Sequence, residues 1–202
     1  ESCIRSGSSL LLLTQDKCDL VGVRVSEYIE RGREVGAGNA KKAQRPDEKA
    51  GMRAWKELKR RVQGGEEFWH RVPNDINKLL HLHVLCFSPT IRGRHLASEM
   101  TWGDEEELKA AGAQGIIVEA MADDSQKCCS SWGWETLHEE PHTSMLDERG
   151  EQMIRLSDGS ASSQLRLMRF EKEPWKSEGS AFRQSCVTQS QSLRSLDCCL
   201  ML

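Results

Sequence analysis

The sequence predicts a small, irregular α-rich or α+β core with long disordered tails and no recognisable superfold. Three observations predict it. Leu, Ile, Val and Phe supply 41 of the 202 residues, which lies at the edge below which a chain cannot bury enough surface to offset its ordering entropy. Six Trp stand against four Phe and one Tyr, a poor supply of the ring types that usually fill a core. Sustained apolar patterning is confined to residues 52–122.

Residues 1–51 read as loosely ordered. Val21, Val23 and Val25 alternate as in a short strand, but Gly32, Gly36 and Gly38 break the pattern. The stretch Gly36-Ala37-Gly38-Asn39-Ala40-Lys41 has two glycines of a dinucleotide fingerprint and Lys41 where the third belongs. No apolar strand leads into it, so the phosphate-cradling turn has no scaffold.

From Met52 a helix is expected. Met52, Trp55, Leu58 and Val62 recur at helical spacing, Arg53, Lys56, Lys59, Arg60 and Arg61 fill the other faces, and Gly64-Gly65 stops it. This basic amphipathic helix offers its five cations to a protein partner or a polyanionic surface through residues 53–61. After Pro73, Asn74 or Asp75 can cap a second helix carrying Ile76, Leu79, Leu80 and Phe87, which Pro89 ends. Read instead as a strand, the segment places His81 and His83 on one face with Cys86 nearby, a pattern suited to a transition metal. The cap and the stop favour the helix, in which the two rings diverge. Between Asp104 and Met121, acidic residues Glu105, Glu106 and Glu107 open a helix, and Gly112 and Gly115 turn the chain into the strand Ile116-Ile117-Val118.

Residues 123–156 read as an acidic loop region. His138-Glu139-Glu140-Pro141-His142 satisfies the spacing of a zinc-protease motif, but Pro141 breaks the helix that would bring both imidazoles together. Adjacent Cys128 and Cys129 cannot form a zinc-finger turn. Residues 157–202 form a Ser/Gln-rich tail with one apolar-basic island, Leu165 to Phe170. The tail ends in Cys199-Leu200-Met201-Leu202, a C-a-a-X box of the geranylgeranyl type, with Cys198 as a second lipidation candidate.

The formal net charge is −3, but it is distributed in blocks: +6 over residues 1–96, −11 over 97–151 and +2 over 152–202. Such blocks can neutralise each other within the chain or face separate partners. Eight cysteines without regular spacing, no export signal and no membrane-length apolar run point to a cytoplasmic protein, with nuclear or membrane-associated residence as the alternatives. No nucleophile, base and oxyanion donor can be placed in one site. The expectation is therefore a non-enzymatic interaction protein acting through the basic helix and the acidic segment, with no catalytic residue, cofactor, metal or identifiable small-molecule substrate. One alternative is a peripheral membrane protein prenylated at Cys199. The other is a fragment or fortuitous reading frame, since the first Met is Met52.

Overall fold

Six β-strands and five α-helices form among the residues that the computed structural model describes, 8–14, 18–33, 50–88, 91 and 94–170. In chain order they are β1 (Leu10–Leu13), β2 (Leu20–Glu30), α1 (Ala50–Gln63), α2 (Phe68–Arg71), β3 (Lys78–Phe87), α3 (Arg94–Trp102), α4 (Glu105–Ala110), β4 (Gly115–Ala120), α5 (Asp123–Ser131), β5 (Glu135–Pro141) and β6 (Ser162–Arg169). The strands make one mixed sheet in the order β1-β2-β3-β4-β6-β5. Only β3 and β4 pair in parallel; the other neighbours are antiparallel.

This architecture overturns the expected irregular core. The sheet takes β1 and β2 from before residue 52, and β5 and β6 from beyond residue 122. The apolar-basic island of the Ser/Gln-rich stretch is interior strand β6, paired on both edges. The second expected helix is β3. A capped, Pro-terminated apolar run is compatible with either state, and pairing with β2 on one side and β4 on the other decides for the strand.

Helices cover both faces. On one, Ala54, Leu58 and Val62 of α1 pack with Phe68 of α2 against Ile29, Leu79, Ile117, Leu165 and Leu167. Those α1 positions recur every four residues, so one stripe meets the sheet. On the other face, Leu108 of α4 and Cys129 of α5 pack against Leu80, Leu82, Ile116, Val118 and Ala120, and Ala97 and Met100 of α3 against Leu85 and Phe87. Between α4 and β4, Gly112 takes φ +85°, which strains any L side chain. At Gly115 a Cβ would stand 2.3 Å from the Met168 carbonyl oxygen, so only glycine lets β6 approach there.

Strand β3 departs from a regular ladder in two ways. Val25 pairs with Val84 but Ser26 with Leu82, so His83 is an extra residue, a β-bulge. The bulge switches the alternation, which is why Leu80 and Leu82 before it and Leu85 and Phe87 after it all face the α3–α4–α5 side. In addition, β3 and β4 pair only over Leu80–Leu82 and Ile116–Val118. Beyond these residues β3 runs on to Phe87 beside β2, and β4 to Ala120 beside β6. The strands thus part at their carboxyl ends.

The N-terminal strands are tied down by Arg24, which is fully buried. Its guanidinium donates to both Asp104 carboxylate oxygens (2.7 and 2.8 Å) and to the carbonyls of Ser8 (2.8 Å), Met100 (3.0 Å) and Thr101 (3.3 Å). Removing one partner of a buried pair leaves an uncompensated charge. Asp104→Ala is therefore expected to cost about 3 kcal/mol in urea unfolding, whereas Arg24→Met with Asp104→Leu recovers most of it. A double variant no more stable than Asp104→Ala would show that the ion pair is not what sets the cost.

Candidate active site

The parting of β3 and β4 coincides with a cluster of charged and imidazole side chains on the α1 face. Glu119 is the first β4 residue beyond the last pair with β3, and His83 is the first on β3. His81, one alternation earlier on β3, shares its face with His83, and their ring centroids are 4.0 Å apart. Neighbouring β2 adds Glu27, and α1 adds Lys59 and Gln63 from above.

Glu119 holds the cluster together. His81 Nε2–H donates to its Oε1 at 2.6 Å, Gln63 Nε2 donates to the same oxygen at 2.8 Å, and Lys59 Nζ lies 3.5 Å from Oε2. Burial by itself would raise the pKa of this carboxyl. The His81 ring, by charge and hydrogen bond, together with Lys59 and Gln63, outweighs burial and holds Glu119 well below the usual carboxylate range. The site thus contains a permanent buried anion.

A second chain of bonds leads to the surface. Lys59 Nζ donates to His83 Nδ1 at 3.3 Å. An ammonium has only donors, so this bond assigns the His83 proton to Nε2, which donates to Glu27 Oε1 at 2.9 Å. Burial, then the neighbouring His81 and Lys59, push the His83 pKa down to about 4 against the hydrogen bond to Glu27. Side-chain exposure rises along the path, from 2% and 3% at His81 and Glu119 to 19% and 22% at His83 and Glu27.

His81 differs from its neighbours in one atom. With Nε2–H committed to Glu119, Nδ1 is the remaining ring nitrogen, and this buried atom has no hydrogen-bond partner among the described residues. A base whose far nitrogen is oriented by a buried carboxylate is the arrangement that activates histidine in acyl transfer generally.

The residues singled out from sequence fall differently. Of the five α1 cations, Lys59 turns into the cluster. Arg60 and Arg61 are tied to Glu57 at 2.7 and 3.0 Å, and Arg61 also reaches Glu140. Arg53 and Lys56 are exposed on the helix. Cys198 and Cys199 lie outside the described residues, as does the Gly36–Lys41 stretch. Among the described residues no helix is long and apolar enough to cross a membrane. His138 and Glu139 lie in extended β5, and His142, in the short turn after it, is buried against Ser163 Oγ (2.8 Å) and the Ser160 carbonyl (3.0 Å). Sequence reasoning noticed His81 and His83 as a strand pair but missed Glu119, Glu27 and Gln63, whose only local signal is a polar residue inside an apolar strand or beside an apolar stripe.

The His83 shift gives a signed expectation. The unfolded imidazole binds a proton near pH 6.5 and the folded one only near pH 4, so the unfolded state holds more protons in between. In chelator-treated protein, stability should fall as pH drops from 6.5 towards 4, by on the order of 3 kcal/mol from this group. His83→Gln should flatten that part of a urea-midpoint profile; an unchanged slope would place the titration elsewhere.

No protein-family model matches the chain, and no curated protein does. Solved structures do. Arylalkylamine N-acetyltransferase 2 from Aedes aegypti is similar with a TM-score of 0.65 and 22% identity, covering 83% of this chain and 76% of that one. The polyamine N-acetyltransferase of Drosophila melanogaster, which catalyses the formation of N-acetylagmatine, gives 0.59 and 16% over 84% and 78%. The C-terminal condensation domain of Ebony, in complex with beta-alanyl-dopamine, gives 0.56 and 12% over 83% and 75%. The chain has the α/β GNAT fold, a mixed sheet with helices on both faces. That several structural neighbours are N-acetyltransferases, of arylalkylamines and agmatine among others, contradicts the expectation of a non-enzymatic interaction protein without a small-molecule substrate.

Proposed function

We propose that this protein is an acyltransferase that moves an acetyl group from a thioester of the acetyl-CoA kind onto a small primary amine. The observation that carries the reading is the buried His81 Nδ1, unpartnered and oriented through Nε2 by Glu119, at the point where β3 and β4 separate. The likeness to amine N-acetyltransferases supports it.

The wedge fits an acyl thioester. Carboxyl ends of adjacent parallel strands are where open α/β sheets bind ligands. Beyond Leu82 and Val118 the facing edges of β3 and β4 have no ladder partner in each other, so an extended arm bearing amides can add there as a strand would. α3 begins at Arg94 on the carboxyl-end side of β3, and a helix N-terminus carries partial positive charge suited to phosphate. When bound, the thioester supplies an acyl carbon already activated towards amines.

The protein's own residues then manage a proton. A primary amine is a nucleophile only after it loses one, and its pKa in water is about 10. His81 Nδ1 accepts that proton directly or through one water, the two arrangements in which general-base catalysis operates. The ring becomes imidazolium beside an anion that is already in place, so Glu119 stabilises the charge without reorganising. The C–N bond forms as the acyl C–S bond breaks; the proton held by His81 passes to the leaving thiolate, and the second ammonium proton is lost to solvent. Carboxylates at Glu27 and Glu119 also favour a cationic acceptor on approach.

The test is thioester consumption by the full chain with acetyl-CoA and a panel of arylalkylamines and polyamines. The wild type should acetylate at least one primary amine. Glu119→Gln and His81→Gln should each lower kcat by about 10²- to 10⁴-fold, with the thermal midpoint recorded to separate chemistry from folding. Transfer that survives both substitutions in folded protein would remove His81 as the base, and no transfer to any amine would remove the activity itself.

A further inference from the structure

We infer that Glu27, His81 and His83 form a binding site for one divalent transition-metal ion of the imidazole-preferring kind, with Zn²⁺ as the type. Each residue offers one ligand atom, and these atoms all lie within 4.8 Å of one another. Two ligands at about 2.1 Å from a tetrahedral ion stand about 3.4 Å apart, so a modest turn of the side chains closes the site. Two imidazoles and one carboxylate are a donor set that such ions accept, and three protein ligands leave a fourth position for water.

Two features beyond proximity point to a cation. The first is His81 Nδ1, a buried donor atom with no partner among the described residues, on a residue that is 1% exposed. The second is the support behind it. A ligating histidine characteristically gives its other N–H to a carboxylate, which fixes the tautomer and raises ligand basicity. His81 does so already, Nε2–H to Glu119 Oε1 at 2.6 Å. On the other side of the site, Glu27 Oε1 and His83 Nε2 stand 2.9 Å apart and share a proton. An ion bridging them takes the place of that proton, which moves to Nδ1 of the same ring.

Lys59 is the opposing element. A His83 bound through Nε2 carries its proton on Nδ1, where Lys59 Nζ now donates at 3.3 Å. The ammonium must give up that bond and turn to Glu119 Oε2, 3.5 Å away. A glutamine in its place can accept from Nδ1 instead. Lys59 therefore sets the affinity without being a ligand.

Zn²⁺ titration of the chelator-stripped full chain, followed by calorimetry, tests this. The eight cysteines are common to all variants, so the readout is the difference between them. Wild type should take up one equivalent that His83→Gln and Glu27→Gln bind more than about 100-fold more weakly, and Lys59→Gln should tighten it about tenfold. Glu27 sits at the rim, so Glu27→Gln provides the comparison if His83→Gln fails to fold. Equal stoichiometry and affinity in all four proteins would overturn the inference. The metal site rests on the geometry of the proposed acyltransferase centre but not on its chemistry. Because Zn²⁺ and the proposed base use the same His81 Nδ1, acyl transfer is measured on the chelator-stripped chain: transfer there with no Zn²⁺ uptake in the titration sinks the metal site alone, and Zn²⁺ uptake with no transfer by the stripped chain sinks the acyltransferase reading alone.

Discussion

A carboxylate buried between a helix and a sheet makes demands that organise the molecule around it. Taking Glu119 out of water costs several kcal/mol unless its oxygens are satisfied, and it is 2% exposed. The groups that satisfy it come from two other elements, His81 from β3 and Lys59 and Gln63 from α1. Lys59 and Gln63 are one turn apart, beside the stripe of Ala54, Leu58 and Val62 that packs on the sheet. Rotation of α1 about its axis would therefore lose apolar burial and expose an unpaired anion together. The apolar stripe and the polar pair agree on one orientation, and agreement across levels is what specifies a single structure.

The same anion links fold to chemistry. By accepting from His81 Nε2 it leaves Nδ1 as the ring nitrogen without a partner among the described residues, and it does so where the sheet opens. The bulge at His83 contributes on both sides of β3. It keeps Leu85 and Phe87 on the face of Leu80 and Leu82, preserving the core beneath α3, while His83 stays beside His81. A regular strand of this sequence would send Leu85 and Phe87 to the opposite face. Bulges recur beside functional sites because they re-aim a side chain without unravelling the sheet.

What was legible in the sequence was local. The stripe of α1, the acidic start of α4 and the Gly112–Gly115 turn into β4 are set by near neighbours, and the structure has those elements at Ala50–Gln63, Glu105–Ala110 and Gly115–Ala120. What was not legible depends on pairing over distance. The segment that becomes β3 has an N-cap, an apolar run and a proline stop, which describe a helix equally well, and strand pairing alone separates the two. β6 reads as an island in a polar tail because its apolar residues are few; its stability comes from β4 and β5 on its two edges. Beyond the His81–His83 pair, the site was invisible for the same reason. Glu119 lies 38 residues from His81 and 56 from Gln63, and nothing near any of them announces the others. Lys59 reads in the sequence as one of five cations offered to a partner or polyanionic surface, yet it turns towards the sheet to meet a buried charge.

The proposed acyl transfer requires that Glu119 hold His81 with its lone pair on Nδ1. Long-range ¹⁵N–¹H correlation spectra of the histidine rings report this directly, because protonated and bare ring nitrogens differ in shift. Neutral His81 should be a single tautomer, protonated at Nε2 and bare at Nδ1, and Glu119→Gln, whose amide can also donate, should mix the two tautomers. A wild-type ring protonated at Nδ1, or already exchanging between tautomers, would contradict this arrangement.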